Sequence, residues 1–292
     1  MVLVTSAPAL GAKPMAGGKS GSTAGNDISY PQCGGSFPAS PAFAIVGVND
    51  GRANTLNPCL GPTSSYTGSE LYWAVASSTG GTSQPKTSLY INTADPGNMY
   101  NGTPVADWPT SSIAADPYSA TPCSTVQVTS STGTYMVGAN VASCAWQYGY
   151  NRATQDVAWL AGAASAINAQ ESHMFVTGAA SGYPWWLDVE TANSWQSAST
   201  GQSLNVAVLQ GMLAGFTAAG ATSVGAYSTS TQWNQITGGT PSTTASLYGM
   251  ADWIPGAKSA SAATRNCGLP SFTGGRVVLT QWTGNYDNDH AC

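Results

Sequence analysis

Between residues 41 and 50 the sequence PAFAIVGVND runs apolar without a break and then turns polar. An uninterrupted apolar run of this length reads as a strand buried on both faces, as in parallel sheets covered by helices. Six further windows predict strands: GNDISY (25–30), TSLYINTADPG (87–97), PWWLDVE (184–190), ATSVGAYST (221–229), ASLYGMADWIPG (245–256) and GRVVLTQWTG (275–284). Helical spacing appears between them. Residues 64–81 place Leu71, Ala74 and Val75 on one side and stop at Gly-Gly, residues 151–169 align Val157, Leu160, Ala161 and Ala164, and residues 203–220 end on glycine. Residues 98–145 show no period and are rich in Pro, Ser and Thr. That is too long for an ordinary connection, so it reads as a functional or disulfide-pinned insertion after the third strand.

Strands alternating with helices, with no repeat and no linker, predict one α/β domain over residues 25–292 with a parallel sheet. Seven strands suggest an irregular barrel of the TIM-like (β/α)8 type. A doubly wound sheet is the alternative, but the chain has neither a G-x-G-x-x-G fingerprint nor a Walker loop.

Composition narrows the function classes. Charged residues make up only 7% of the 292, the net charge is −5, and the eight Lys and Arg are scattered. No basic patch is present to neutralise phosphates, so nucleic acid is not an expected partner. No apolar run reaches the length of a membrane span. The opening MVLVTSAPALGAKP has the small residues of a signal-peptide cleavage region without a basic start, so residues 1–24 read as a signal-peptide remnant or a disordered tail. Six cysteines, none in a C-x-x-C pair, point to three disulfides and a secreted, extracellular chain. Fifteen pairings are possible; sequence neighbours (Cys33–Cys59, Cys123–Cys144, Cys267–Cys292) are the favoured set. The two histidines lie near no serine elbow and no ligand spacing, so neither a Ser/His hydrolase nor a metal or other cofactor is expected.

The candidate chemistry sits in YPWWLDVETANSW, residues 183–195. Residues two apart on a strand point to one face, so Asp188 and Glu190 project together while Val189 turns into the packing. Trp185 and Trp186 would supply an apolar wall that raises one carboxyl pKa, and the second negative charge acts in the same direction. Two carboxyls at a barrel strand end suit glycoside hydrolysis. Asp27 follows the first strand's Gly-Asn, and Asp287 and Asp289 lie just past the last predicted strand. First and last strands of a closed barrel are neighbours, so these acids would converge on the pair. Asp252 is a weaker candidate. Among ten tryptophans, Trp253 and Trp282 at strand ends are candidates for stacking on sugar rings.

The order GNDISYPQ, PWWLDVETANSW, VGAYSTSTQW, ADWIP and LTQWTGNYDND resembles glycoside hydrolase family 25, the lysozyme-type muramidases, over about residues 25–292. It resembles still more a group of secreted actinobacterial proteins with a glycoside-hydrolase-like barrel. The resemblance implies a flattened α/β barrel with an acid-lined cleft. It implies Glu190 as general acid and Asp188 as the group that orients an acetamido substituent or stabilises positive charge. Asp27 and Asp287 would line the cleft, and Tyr227 would match the family's tyrosine near the site; Trp186, Trp253, Trp282 and Asp289, read from their own positions at strand ends, complete the expected substrate-binding set. Residues 47–52 read GVNDGR where the family has Lys-Ala-Thr. The expectation is therefore a monomeric secreted glycosidase cleaving a cell-wall polysaccharide, with peptidoglycan as family default and a neutral wall glycan as the alternative. The competing expectation is a non-catalytic glycan-binding or surface protein on a degenerate barrel.

Overall fold

The computed structural model describes residues 23–62, 68–118, 120–243 and 245–292. The leader-like segment and the first residues of the helix expected over 64–81 lie outside them. In chain order the elements are β1 (Ala24–Ile28), β2 (Ala44–Gly47), α1 (Glu70–Ser77), β3 (Thr87–Asn92), the short β4 (Met99–Tyr100) and β5 (Thr103–Pro104), β6 (Thr125–Ser130), β7 (Gly133–Gly138), α2 (Ala142–Gln170), β8 (Trp185–Asp188), α3 (Ala198–Ala218), β9 (Val224–Tyr227), α4 (Ser230–Thr237), β10 (Asp252–Ala257), α5 (Ala260–Asn266), β11 (Val277–Thr283) and β12 (Asp287–Ala291).

Eight strands close a barrel in the order β1-β12-β11-β10-β9-β8-β3-β2. The seven windows predicted as strands are all in it. The eighth strand, β12, runs antiparallel to both β1 and β11, so the sheet is mixed and not wholly parallel as expected. Residues Asp287 and Asp289 therefore lie within a strand rather than beyond the last one. This reversal places the start of β12 beside the C-terminal ends of the parallel strands, the end where barrel sites are built.

Apolar side chains divide by strand face. Phe43, Ile45, Trp186, Trp253 and Leu279 fill the barrel interior. Trp185, Leu187 and Val189 point the other way, into the layer shared with the helices, where Trp185 lies 4.4 Å from Phe216 of α3. Trp185 thus belongs to the outer core and does not wall the carboxylates, contrary to expectation.

Helix α2 begins nine residues before the predicted 151–169 window. The hidden part contains Gly149, where a Cβ would meet the Val208 carbonyl oxygen of α3 at 2.0 Å, and a Cβ on Gly211 would meet that of Trp146 at 1.9 Å. Glycine here lets two helix backbones touch, which makes a packing residue look like a helix breaker. The segment without period, 98–145, carries two hairpins, β4–β5 and β6–β7. Disulfides join Cys33–Cys59, Cys123–Cys144 and Cys267–Cys292, the sequence-neighbour set. Among the described residues no helix is long and apolar enough to cross a membrane.

Candidate active site

Three strands bring the predicted acids together. β8 is laddered to β9 through Asp188↔Tyr227, and the ladder continues past its end, with Val189 N donating to Tyr227 O at 2.9 Å. Extended backbone to this point keeps Trp186, Asp188 and Glu190 on the interior face while Val189 is fully buried behind. Thr93 Oγ1 and Ser228 Oγ clamp the same segment by donating to the Asp188 and Val189 carbonyls at 2.6 and 2.7 Å. Across the barrel, Asp27 of β1 faces Asp287 of β12 in register.

Asp27, Asp188, Glu190 and Asp287 line one open cavity of about 250 Å³, with Tyr30, Tyr90, Asn92, Tyr227, Trp253 and Gln281. Among the described residues no Lys, Arg or His lines it. Trp253 is its floor rather than a stacking surface: the ring is only 2% exposed and meets Tyr90, Trp186 and Tyr227 edge-on. Trp186 is buried in the same floor. Asp289 lies below the cavity, fully buried. Trp282 is not part of the lining; on β11 it alternates with Leu279 and Gln281, whose side chains enter the barrel. Asp252 is structural, accepting from Phe272 N at 2.7 Å and Thr273 Oγ1 at 2.6 Å.

With no cation among the described residues to pair them, the buried acids Asp27, Asp188 and Asp289 hold on to protons. Burial pushes Asp27 up to about 7, helped by the Asp287 charge and opposed by the hydrogen bond from Gln281. Asp188 is driven well above the carboxylate range, by burial first and then by Glu190 and Asp27. Asp289 is raised well above the carboxylate range by burial first and then by Asp27, whose carboxyl shares a hydrogen bond with it, while the Trp253 indole opposes the shift. Burial also keeps the Tyr227 phenol neutral, with the Asp188 charge adding to the effect.

Sequence reasoning missed the polar groups that hold the acids. Tyr227 Oη donates to Gln281 Oε1 at 2.9 Å, and Gln281 Nε2 donates to Asp27 Oδ2 at 2.9 Å, a chain across three strands. Asn92 donates through Nδ2 to Asn49 Oδ1 at 3.0 Å, and the other end of its amide faces Asp188 Oδ2 at 2.9 Å. Two acceptors that close require a proton: either Asp188 carries it, or the amide turns to donate. Period-2 alternation through Ser88, Tyr90 and Asn92 on β3 was the signal available for Tyr90 and Asn92. Glu190 is partly exposed, at the open side of the cavity, and its Oε1 accepts from Gln232 Nε2 of α4 at 3.4 Å. Among the described residues no cluster of His, Cys, Asp or Glu is placed to hold a metal ion.

No family model matches the chain, and no curated protein does. Two solved structures are similar. One is a muramidase from Trichobolus zukalii, 13% identical, with 92% of this chain and 93% of that one covered and a TM-score of 0.42. The other is a glycosyl hydrolase 25 of Streptococcus pneumoniae, described as a virulence factor participating in host cell invasion, 12% identical, with 92% and 86% covered and a TM-score of 0.39.

Proposed function

We propose that the chain is a secreted glycoside hydrolase that cleaves a cell-wall polysaccharide, with peptidoglycan the first substrate to test. The observation that carries this reading is the convergence of Asp27, Asp188, Glu190 and Asp287 on one open cavity, with no basic side chain in its lining among the described residues. A cation plugged between the acids would have made them a structural ion-pair cluster. Without one, four carboxyls face a space that only an uncharged or positively charging group enters cheaply. The oxocarbenium-like transition state of glycosidic cleavage is such a group.

Glu190, at the open side, donates its proton to the leaving glycosidic oxygen. Asp188, kept neutral by burial, donates a hydrogen bond to a polar substituent of the bound sugar. Asp287 on the opposite wall, joined by Asp27 as pH rises through its own value of about 7, stabilises the developing cation; a water then adds to the anomeric carbon and returns its proton to Glu190. The three disulfides fit an oxidising, extracellular setting.

The test is release of reducing ends from a panel of purified wall polysaccharides, with Glu190→Gln in parallel. The wild type should cut at least one, and the variant should lose about 10²–10⁴-fold in kcat, the usual contribution of a positioned acid, with unchanged thermal unfolding. Full activity in Glu190→Gln removes the assignment.

A further inference from the structure

A second cavity of about 770 Å³ meets the acid cavity at Gly51, which lines both. It is roughly three times the size of the 250 Å³ acid site. The segment after β8 runs between them: Glu190 belongs to one, and Ala192, Asn193 and Ser194 to the other. The far wall is not barrel. It is the β4–β5 hairpin from the segment without period, which contributes Tyr100 and Thr103. Arg52 is the only charged residue in the lining among the described residues.

The hairpin is built to hold its shape. Asn101 and Gly102 turn it with φ of +48° and +76°, the left-handed pair that two-residue hairpins use. Ser130 Oγ donates to Gly102 O at 2.8 Å from the neighbouring β6–β7 hairpin, and Asn98 Nδ2 donates to Gly138 O at 2.8 Å. At its tip Tyr100 is 52% exposed, a large ring held toward water with no core reason to be there. Tyr148 of α2 forms the buried side of the trough, stacked on Trp108 at 5.4 Å.

We propose that this trough binds the sugar units next to the cleaved bond, with Tyr100 as the platform under one ring, so that the inserted hairpin extends the substrate site beyond the barrel. This rests on the glycosidase reading above. A mostly uncharged wall, in which the hydroxyls of Thr103 and Ser194, the amides of Asn54 and Asn193 and the two tyrosines are set among alanines and prolines, matches the mixed polar and C–H faces of a glycan. A braced platform loses little freedom when the chain docks.

The experiment uses Glu190→Gln, so that binding is read without turnover, and β-1,4-linked N-acetylglucosamine oligomers of two to eight units, with peptide-free peptidoglycan strands as a second series. Calorimetry should show affinity rising with length until both cavities are filled. Adding Tyr100→Ala should remove about ten-fold of the gain. Adding Phe175→Ala, an exposed ring outside both cavities, should keep it. A flat length series, a gain untouched by Tyr100→Ala, or no binding by any oligomer overturns the trough. If wild type still releases reducing ends in any of those cases, the glycosidase reading stands without it. If oligomers bind with the predicted length dependence and wild type cuts no polysaccharide, the trough stands and the glycosidase reading falls.

Discussion

Asp27 is held between opposing influences. Burial and the Asp287 charge raise it, while Gln281 brings it down, itself fixed by Tyr227. Replacing Gln281 by Met keeps the volume and removes the donor. Asp27 then rises further, so if it works as an anion the acid limb of the kcat/KM–pH profile moves to higher pH. Activity near pH 6 should fall about ten-fold, with each unit of pKa equivalent to about 1.4 kcal/mol. An unmoved limb with a uniform loss would mean that Gln281 only packs. The acids themselves were legible, because Asp-x-Glu on a strand can only point one way. Gln281 and Asn92 were not: a lone amide in a strand gives no sign of its partner, and theirs are 254 and 96 residues distant in sequence, at Asp27 and Asp188.

At the scale of elements, β12 shows where pattern reading stops. Its residues, Asp-Asn-Asp-His-Ala, have no apolar alternation, because two of the positions that turn into the barrel carry carboxyls. The strand exists because it pairs on both sides, and no local signal carries that. The strands whose inward positions are apolar were legible for the opposite reason. α2 was half legible, since Gly149 disguises a helix crossing as a stop. Cys267–Cys292 ties β12 to the end of α5 across 25 residues. Replacing both cysteines by Ala should cost about 2–4 kcal/mol of unfolding free energy, read by denaturant titration. It should also lower kcat, because Asp287 rides on the loosened strand. Intact kcat in a destabilised variant would detach Asp287 from the chemistry.

Across the whole molecule, scarcity of cations sets the pH response. Eight Lys and Arg serve thirteen acids, and among the described residues one ion pair appears, Arg152–Asp107 at 3.3 Å. Buried acids are therefore neutral rather than paired. Asp27 and Glu70 are raised to about 7 and Asp95 to about 6, in each case by burial first. A carboxyl with a higher pKa folded than unfolded binds more protons in the native state between those two values. Stability thus falls as pH rises from about 4 to about 7. Thermal unfolding should give a higher Tm at pH 5 than at pH 8, and Asp27→Asn should flatten that slope. A Tm that climbs from pH 5 to pH 8 contradicts the neutral-acid account.

The reversed eighth strand has one more consequence, a spatial one. β12 starts at the acids and runs away from them, so Cys292 comes to rest at the opposite pole, its N–H bonded to Val278 O near the beginning of β11. Ala24 starts β1 at that same pole, facing His290. Ala24 and Cys292 thus both lie at the back of the molecule, away from the acid cavity. Held to a surface through that pole, the protein would present its acid cavity outward, free to meet an insoluble polymer.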